Sequence, residues 1–391
     1  MSAPRRIQRV EAFPLSFARD LAAATGTAGS PSRLAEKGTT GAYKWSTTVS
    51  AVYGERIEST LVRVTCDDGL TGWGEAQAPV APRVSALIIE DILAGLLEGE
   101  SFDGSRGDIE RHWQSMYQSM RVRGQTGGFM LDAISGVDLA LWDLAGRIHE
   151  QPVAKLIKPD ARTEVPAYCS GLAGGTLADR CTFARRYYDQ GFRLFKIFFD
   201  KSEAELLEGL DALRAELGPE ARLAVDALWR LEWPSSRGFI EQLAKRNLHW
   251  LEAPFMPDEP DPHRELAKYL PELPIALGES YRTHREMRWF LEEGLVRFVQ
   301  PDLGRSGITE SLRIAAKYPH VAVVPHVSIA LGPQIASAIH LTAALGNAPV
   351  CEFNPTVFET SNRHLETPLE MGEAHYILPD ATGLGVLPLL R

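Results

Sequence analysis

Eight short apolar runs in the second part of the chain, each followed by or closing on polar residues, limit what this sequence can fold into more than any other feature. They are VPAYCS (165–170), RLFKIFF (193–199), RLAVDA (222–227), HWLEAP (249–254), PIALGES (274–280), VRFVQPD (296–302), VAVVPH (321–326) and PVCEFN (349–354). Helical stretches separate them. Buried parallel strands read as near-continuous apolar runs, and each parallel pair needs a crossover, usually a helix. Eight such units close into a (β/α)8-type barrel, whose site lies at the C-terminal ends of the strands. The polar residues at those ends are Lys196, Asp226, Glu252, Glu279, Asp302, His326 and Glu352, at spacings of 30, 26, 27, 23, 24 and 26 residues. Each step is one βα unit, so all seven are expected at one height, pointing into one mouth. A single such residue reads as readily as a cap on the next helix, but seven in register do not.

The front of the chain has a different texture. Residues 6–17 read as a strand with a proline break, and 59–76 as a hairpin about Asp68-Gly69. Helices are expected near 83–98, 107–122 and 129–148, the last with Ile134, Val137, Leu141 and Leu144 on one face. Residues 20–55, rich in Gly, Ala, Ser and Thr, are too long for a plain connection and read as a lid or as disorder. The expected division is an α+β capping domain (1–150) carrying the lid, the barrel (151–364), and a C-terminal segment (365–391) that returns to the cap.

Composition excludes several classes. Lysine plus arginine number 41 against 51 acidic residues, a net charge of −10 with no basic run. Such a chain has no field for gripping nucleic acid or an anionic membrane. No apolar stretch approaches a membrane span, and the N-terminus lacks the apolar core of a signal peptide. The four cysteines, Cys66, Cys169, Cys181 and Cys351, have neither CxxC nor zinc spacing, so a cytoplasmic location with reduced thiols is expected.

Asp226, Glu252 and Glu279 end three consecutive strands. Carboxylates in one pocket repel by about 4 kcal/mol per pair at 4 Å and an effective dielectric of 20. They stay ionised together when a cation lies among them, and an all-oxygen set favours Mg²⁺ (or Mn²⁺) over zinc. Asp302 and His326 end neighbouring strands. A carboxylate beside a histidine fixes its tautomer and raises its basicity, which reads as a general base. Lys196 faces either the metal pocket or a salt bridge, and Glu352 either bonds a substrate oxygen or caps a helix.

These residues resemble the enolase superfamily in its mandelate racemase subgroup. The matching pieces are VDA (225–227), LEAP (251–254), LGES (277–280), QPDLGRSGITE (300–310), VVPHVS (323–328) and CEFN (351–354), with DDGLTGWGEA (67–76) and GVDLALWDLAGR (136–147) resembling the capping domain. The resemblance covers nearly the whole chain. It implies Mg²⁺ on Asp226, Glu252 and Glu279, an enediolate formed by removing the proton α to a carboxylate, the Asp302–His326 base, and a Glu352 bond to the substrate carboxylate. It also implies a lid that closes over the mouth and a homo-oligomer.

Two departures bear on the reaction. The family's K-x-K at the end of strand two is Lys196-Ile197-Phe198 here, and D-x-N is Asp226-Ala227-Leu228. Racemisation needs an acid/base group on each face of a planar intermediate, whereas one histidine suffices for a syn dehydration. The expected reaction is therefore dehydration of a sugar acid to a 2-keto-3-deoxy acid with His326 as base and acid. Cycloisomerisation of a sugar lactone or anhydro sugar acid, and epimerisation with Lys196 as second base, remain alternatives. A non-catalytic binder on this scaffold would have no need of a general base. Lys196 is placed beside the substrate carboxylate, and Arg282, Arg305 and the lid residue Trp45 are candidates for other substrate contacts, with surface pairing the competing role for the arginines.

Overall fold

The computed structural model describes residues 5–18, 37–38, 43–46, 51–54 and 56–390. Of the expected lid, residues 20–36, 39–42, 47–50 and 55 lie outside the described residues.

The front sheet is built from β1 (Arg5–Ala18), β2 (Arg56–Cys66) and β3 (Thr71–Ala76), all antiparallel. Gly69, at φ 85°, makes the β2–β3 turn as the Asp-Gly signal requires. Pro14 does not break β1. It pairs with Thr60 on one side, while Ser101–Phe102 covers the other side only at Arg5 and Arg6, so the missing N–H costs no ladder bond.

A helical segment over 82–97 comes next, matching the helix expected near 83–98, and then two longer helices, α1 (Arg106–Arg121) and α2 (Gly128–Ile148). Every residue of α2 from Met130 to Gly146 is buried, so the expected single apolar face is in fact burial all round. One side lies on β3, where a Cβ at Gly74 would come within 2.0 Å of the Gly136 carbonyl and one at Gly72 within 2.2 Å of the Ala140 carbonyl. The glycines of TGWG thus set how closely strand and helix approach.

Eight parallel strands follow, each with a helix after it. The strands are β4 (Glu164–Ser170), β5 (Leu194–Phe198), β6 (Arg222–Asp226), β7 (Leu251–Glu252), β8 (Ile275–Leu277), β9 (Phe298–Val299), β10 (Ala322–Val323) and β11 (Cys351–Phe353). The helices are α3 (Leu177–Asp189), α4 (Glu203–Leu217), α5 (Arg237–Ala244), α6 (Pro260–Tyr269), α7 (Arg288–Glu292), α8 (Leu303–Lys317), α9 (Pro333–Ala344) and α10 (Pro355–Asn362). Strands β4 to β10 pair in sequence order, and β11 returns to β4. The Val323 N–H donates to the Asn347 carbonyl at 2.9 Å, joining β10 to the stretch that leads into β11. This is the (β/α)8-type barrel. Several strands are shorter than their apolar runs: β8, β9 and β10 end two or three residues before Glu279, Asp302 and His326.

Side chains alternate along each strand. Tyr168, Leu194, Ala224, Trp250, Ala276 and Val324 form one apolar layer. Two residues on from Leu194, Ala224 and Trp250 stand Lys196, Asp226 and Glu252, so the polar site rests on this layer. Past α10 the chain pairs His375–Ile377 with β4, and the Leu384 N–H then donates to Asp143 of α2 at 2.6 Å. No helix among the described residues is long and apolar enough to cross a membrane.

Candidate active site

All seven strand-end residues meet in the barrel mouth, and each is at most 9% exposed. Lys196 lies between two carboxylates, with Nζ 2.6 Å from Glu252 Oε1 and 3.0 Å from Glu352 Oε1. Burial alone would lower the Lys196 pKa, but Glu252 and Glu352 hold it well above the usual lysine range. Glu352 shows the counterpart. Burial opposes its ionisation, yet Lys196 and His326 bring its pKa down to about 2. Its second oxygen accepts the Val327 N–H at 2.9 Å, which ties the end of β11 to the loop after β10.

Glu252 is fixed from below. Its Oε2 accepts the Trp250 indole N–H at 2.9 Å and the Gln300 amide at 2.7 Å. Asp226 accepts the Leu228 N–H at 2.9 Å. Burial and the nearby Glu252 and Glu279 charges push its pKa well above the ordinary aspartate value. Glu279 is raised too, first by burial, and its Oε1 is a buried acceptor with no partner among the described residues.

His326 has a carboxylate on each ring nitrogen, with Nδ1 2.9 Å from Asp302 and Nε2 3.0 Å from Glu279. Burial would lower its pKa, but Glu279, Asp302 and Glu352 together raise it to about 10. The other Asp302 oxygen accepts the Gly304 N–H at 3.0 Å and the Gln334 amide at 2.7 Å. With Nδ1 held by Asp302, Nε2 is the nitrogen that faces the mouth.

The residues whose ligand atoms lie closest together, within 4.8 Å of one another, are Glu252, Glu279 and His326. Asp226, expected as the third carboxylate, adjoins them, paired in register with Glu252. A hard divalent cation fits this donor set. It would take up the unpartnered Glu279 oxygen and relieve the repulsion that raises Asp226.

The three outlying candidates are placed differently. Arg282 grips Asp132 of α2 with two bonds, at 2.9 and 3.2 Å, and donates to the Ser280 carbonyl at 2.7 Å. Arg305 donates to Gln77 of the front domain and, at 2.7 Å, to the Glu279 carbonyl. Both arginines therefore bridge barrel and cap at the rim. Trp45 sits on a separate antiparallel ribbon, opposite Val52.

Sequence reasoning passed over Trp250, Gln300 and Gln334. Each sits in or beside an apolar run, and the spacing of the strand-end residues does not single it out. Alternation from Glu252 would have found Trp250, and the QPD motif contained Gln300. Leu228, Trp229 and Ala253, just beyond Asp226 and Glu252, have φ of 53°, 54° and 43°. Left-handed backbone at non-glycine residues clusters at functional sites, and no glycine marks these positions.

Residues 45–158 match the mandelate racemase/muconate lactonizing enzyme N-terminal domain, and residues 179–388 match the enolase C-terminal domain-like family. The chain is 31% identical to the D-galactarolactone cycloisomerase of Agrobacterium fabrum, covering 85% of this chain and 89% of that protein. It is 30% identical to the arabinonate dehydratase of Saccharolobus solfataricus, covering 84% and 88%. Among solved structures, an enolase superfamily member from Agrobacterium tumefaciens superposes with a TM-score of 0.91 at 32% identity, covering 99% of this chain and 97% of that one. Matching at both domains, and across the strand ends that carry the site, this chain belongs to the mandelate racemase/muconate lactonizing enzyme family of the enolase superfamily.

Proposed function

We propose that this protein dehydrates a sugar acid to a 2-keto-3-deoxy acid. The observation that carries the reading is a one-sided base. His326, oriented by Asp302, faces the mouth from β10, while β5 offers no free base. There Phe198 holds the place of a second lysine, and the Lys196 ammonium is engaged by Glu252 and Glu352.

With a cation on Glu279, the charge that chiefly holds His326 protonated would be offset, and in its neutral form His326 takes the proton α to the substrate carboxylate at Nε2. Asp302 holds Nδ1–H and stabilises the imidazolium that forms. The same imidazolium returns its proton to the departing β-hydroxyl. The C–O bond breaks, a C=C bond forms, water leaves, and the enol tautomerises to the 2-keto acid. Asp226, Glu252 and Glu279 would hold Mg²⁺, for which Mn²⁺ can substitute, and its charge would offset the negative charge developing on the substrate carboxylate. Lys196 neutralises Glu252 and Glu352 and holds them in place.

The likeness to a galactarolactone cycloisomerase supports a second reading, in which the same base acts and a ring oxygen leaves instead of water. The test is a screen of sugar acids with Mg²⁺, detecting 2-keto acid with semicarbazide. Dehydration gives a signal that is lost with EDTA and with His326→Asn. Full turnover by a folded His326→Asn protein refutes the reading. NMR of the product separates dehydration from cycloisomerisation.

A further inference from the structure

The start of α9 has no cap of its own. Gly332 stands at the N-cap position with φ 130°, and it has no side chain to offer the free N–H groups of the first turn. Glu75, from β3 in the front domain, supplies the acceptor instead. Its Oε1 accepts the Leu331 N–H and the Ser59 hydroxyl, both at 2.7 Å, and its Oε2 accepts the Gln334 N–H at 3.2 Å. A residue of one domain thus caps a helix of the other. The Gln334 side chain then turns back into the barrel, where its amide meets Asp302 Oδ1 at 2.7 Å while Asp302 Oδ2 holds His326. Glu75, Gln334 and Asp302 are each fully buried.

We propose that Glu75 and Gln334 are positioning residues for the base: Glu75 fixes the start of α9, and the Gln334 amide so placed holds Asp302, and through it His326, in its working orientation. The proposal rests on the reading of His326 as the base. Without Gln334, the Asp302 oxygen keeps one donor, the Gly304 N–H, and Asp302 is fully buried. The carboxylate is then free to turn, and the imidazole turns with it. Partners one step behind a reacting group are commonly worth about 10–100-fold in activity.

The test uses the full chain with ¹⁵N-labelled histidine. The Nδ1–H resonance of His326, assigned by its loss in His326→Asn, reports the bond to Asp302 without any need of substrate. Gln334→Met, similar in length but without the donor, is expected to shift or broaden that resonance. It should also lower turnover about 10–100-fold with KM little changed. Glu75→Gln keeps the Gln334 side chain but turns an amide toward the Gln334 N–H, and the same changes are expected. A folded Gln334→Met protein with an unmoved resonance and full turnover overturns the proposal. So does a Glu75→Gln protein that loses only thermal stability. If the resonance follows both variants while the wild type dehydrates no sugar acid, the positioning stands and the dehydratase reading alone fails.

Discussion

Replacing Asp138 by asparagine should make the protein more resistant to unfolding as the pH rises. Asp138 lies on α2, fully buried against α8, and accepts the Thr309 N–H at 2.9 Å and the Thr309 hydroxyl. Burial raises its pKa from 3.8 to about 7, against the pull of the Thr309 bonds and of Arg313. The native state therefore binds the proton more tightly than the unfolded chain, and stability falls with pH between the two values. The contribution is complete below the unfolded pKa near 3.8 and lost as pH rises through about 7. A shift of about three units corresponds to about 4 kcal/mol, of which about 3 kcal/mol falls between pH 5 and pH 8. Asparagine has the shape of the neutral acid and does not ionise. Urea unfolding of Asp138→Asn and wild type at both pH values is the assay. The variant should gain on wild type by up to about 3 kcal/mol from pH 5 to pH 8. Glu75, also raised to about 7 by burial, shapes the slope of both proteins equally and cancels in the difference. A difference independent of pH would mean that Asp138 titrates in the ordinary aspartate range, refuting the argument.

Gly307→Ala should be destabilising by about 1–3 kcal/mol, measured by thermal unfolding. Its φ of 69° disfavours a side chain, and the added Cβ would lie 2.4 Å from an Asp138 oxygen. Arg282→Met should cost about 3–5 kcal/mol, because it strands the buried Asp132 charge without its bidentate partner. Mg²⁺ should stabilise wild type by about 2.7 kcal/mol at one hundred times its Kd, read as a raised unfolding midpoint. Glu279→Gln should lose most of that gain, and calorimetric titration would show the loss directly.

The barrel and the convergence of its polar residues were legible because βα units of similar length bring each strand end to the same height. The Asp302–His326 pair was legible for the same reason, since the two end neighbouring strands. Spacing carries no information on which ligand atoms approach most closely. That depends on rotamers and on donors such as Trp250 and Gln300, which is why His326 rather than Asp226 stands nearest Glu252 and Glu279. The arginines were illegible for another reason. Arg282 lies on the loop after β8 and Arg305 in the first turn of α8, and their partners Asp132 and Gln77 are distant in sequence. The break expected at Pro14 failed because edge position is a property of the sheet and not of the strand's own residues.

The bonds from α2 to α8 have a consequence for how this scaffold changes over time. Asp132, Ser135, Asp138 and Trp142 all reach barrel residues, and Asp143 receives the Leu384 N–H from near the chain's other end. The front domain looks like an exchangeable module when the sequence is cut at residue 150, but its seat is distributed over the barrel and the C-terminal segment. A transplant of the front domain from a relative would arrive without its sockets. New substrate ranges on this architecture should accordingly accumulate by point changes and loop replacement rather than by exchange of whole domains. A functional chimera would have to carry Arg282 and residues 300–310, 331–334 and 383–388 along with the front domain.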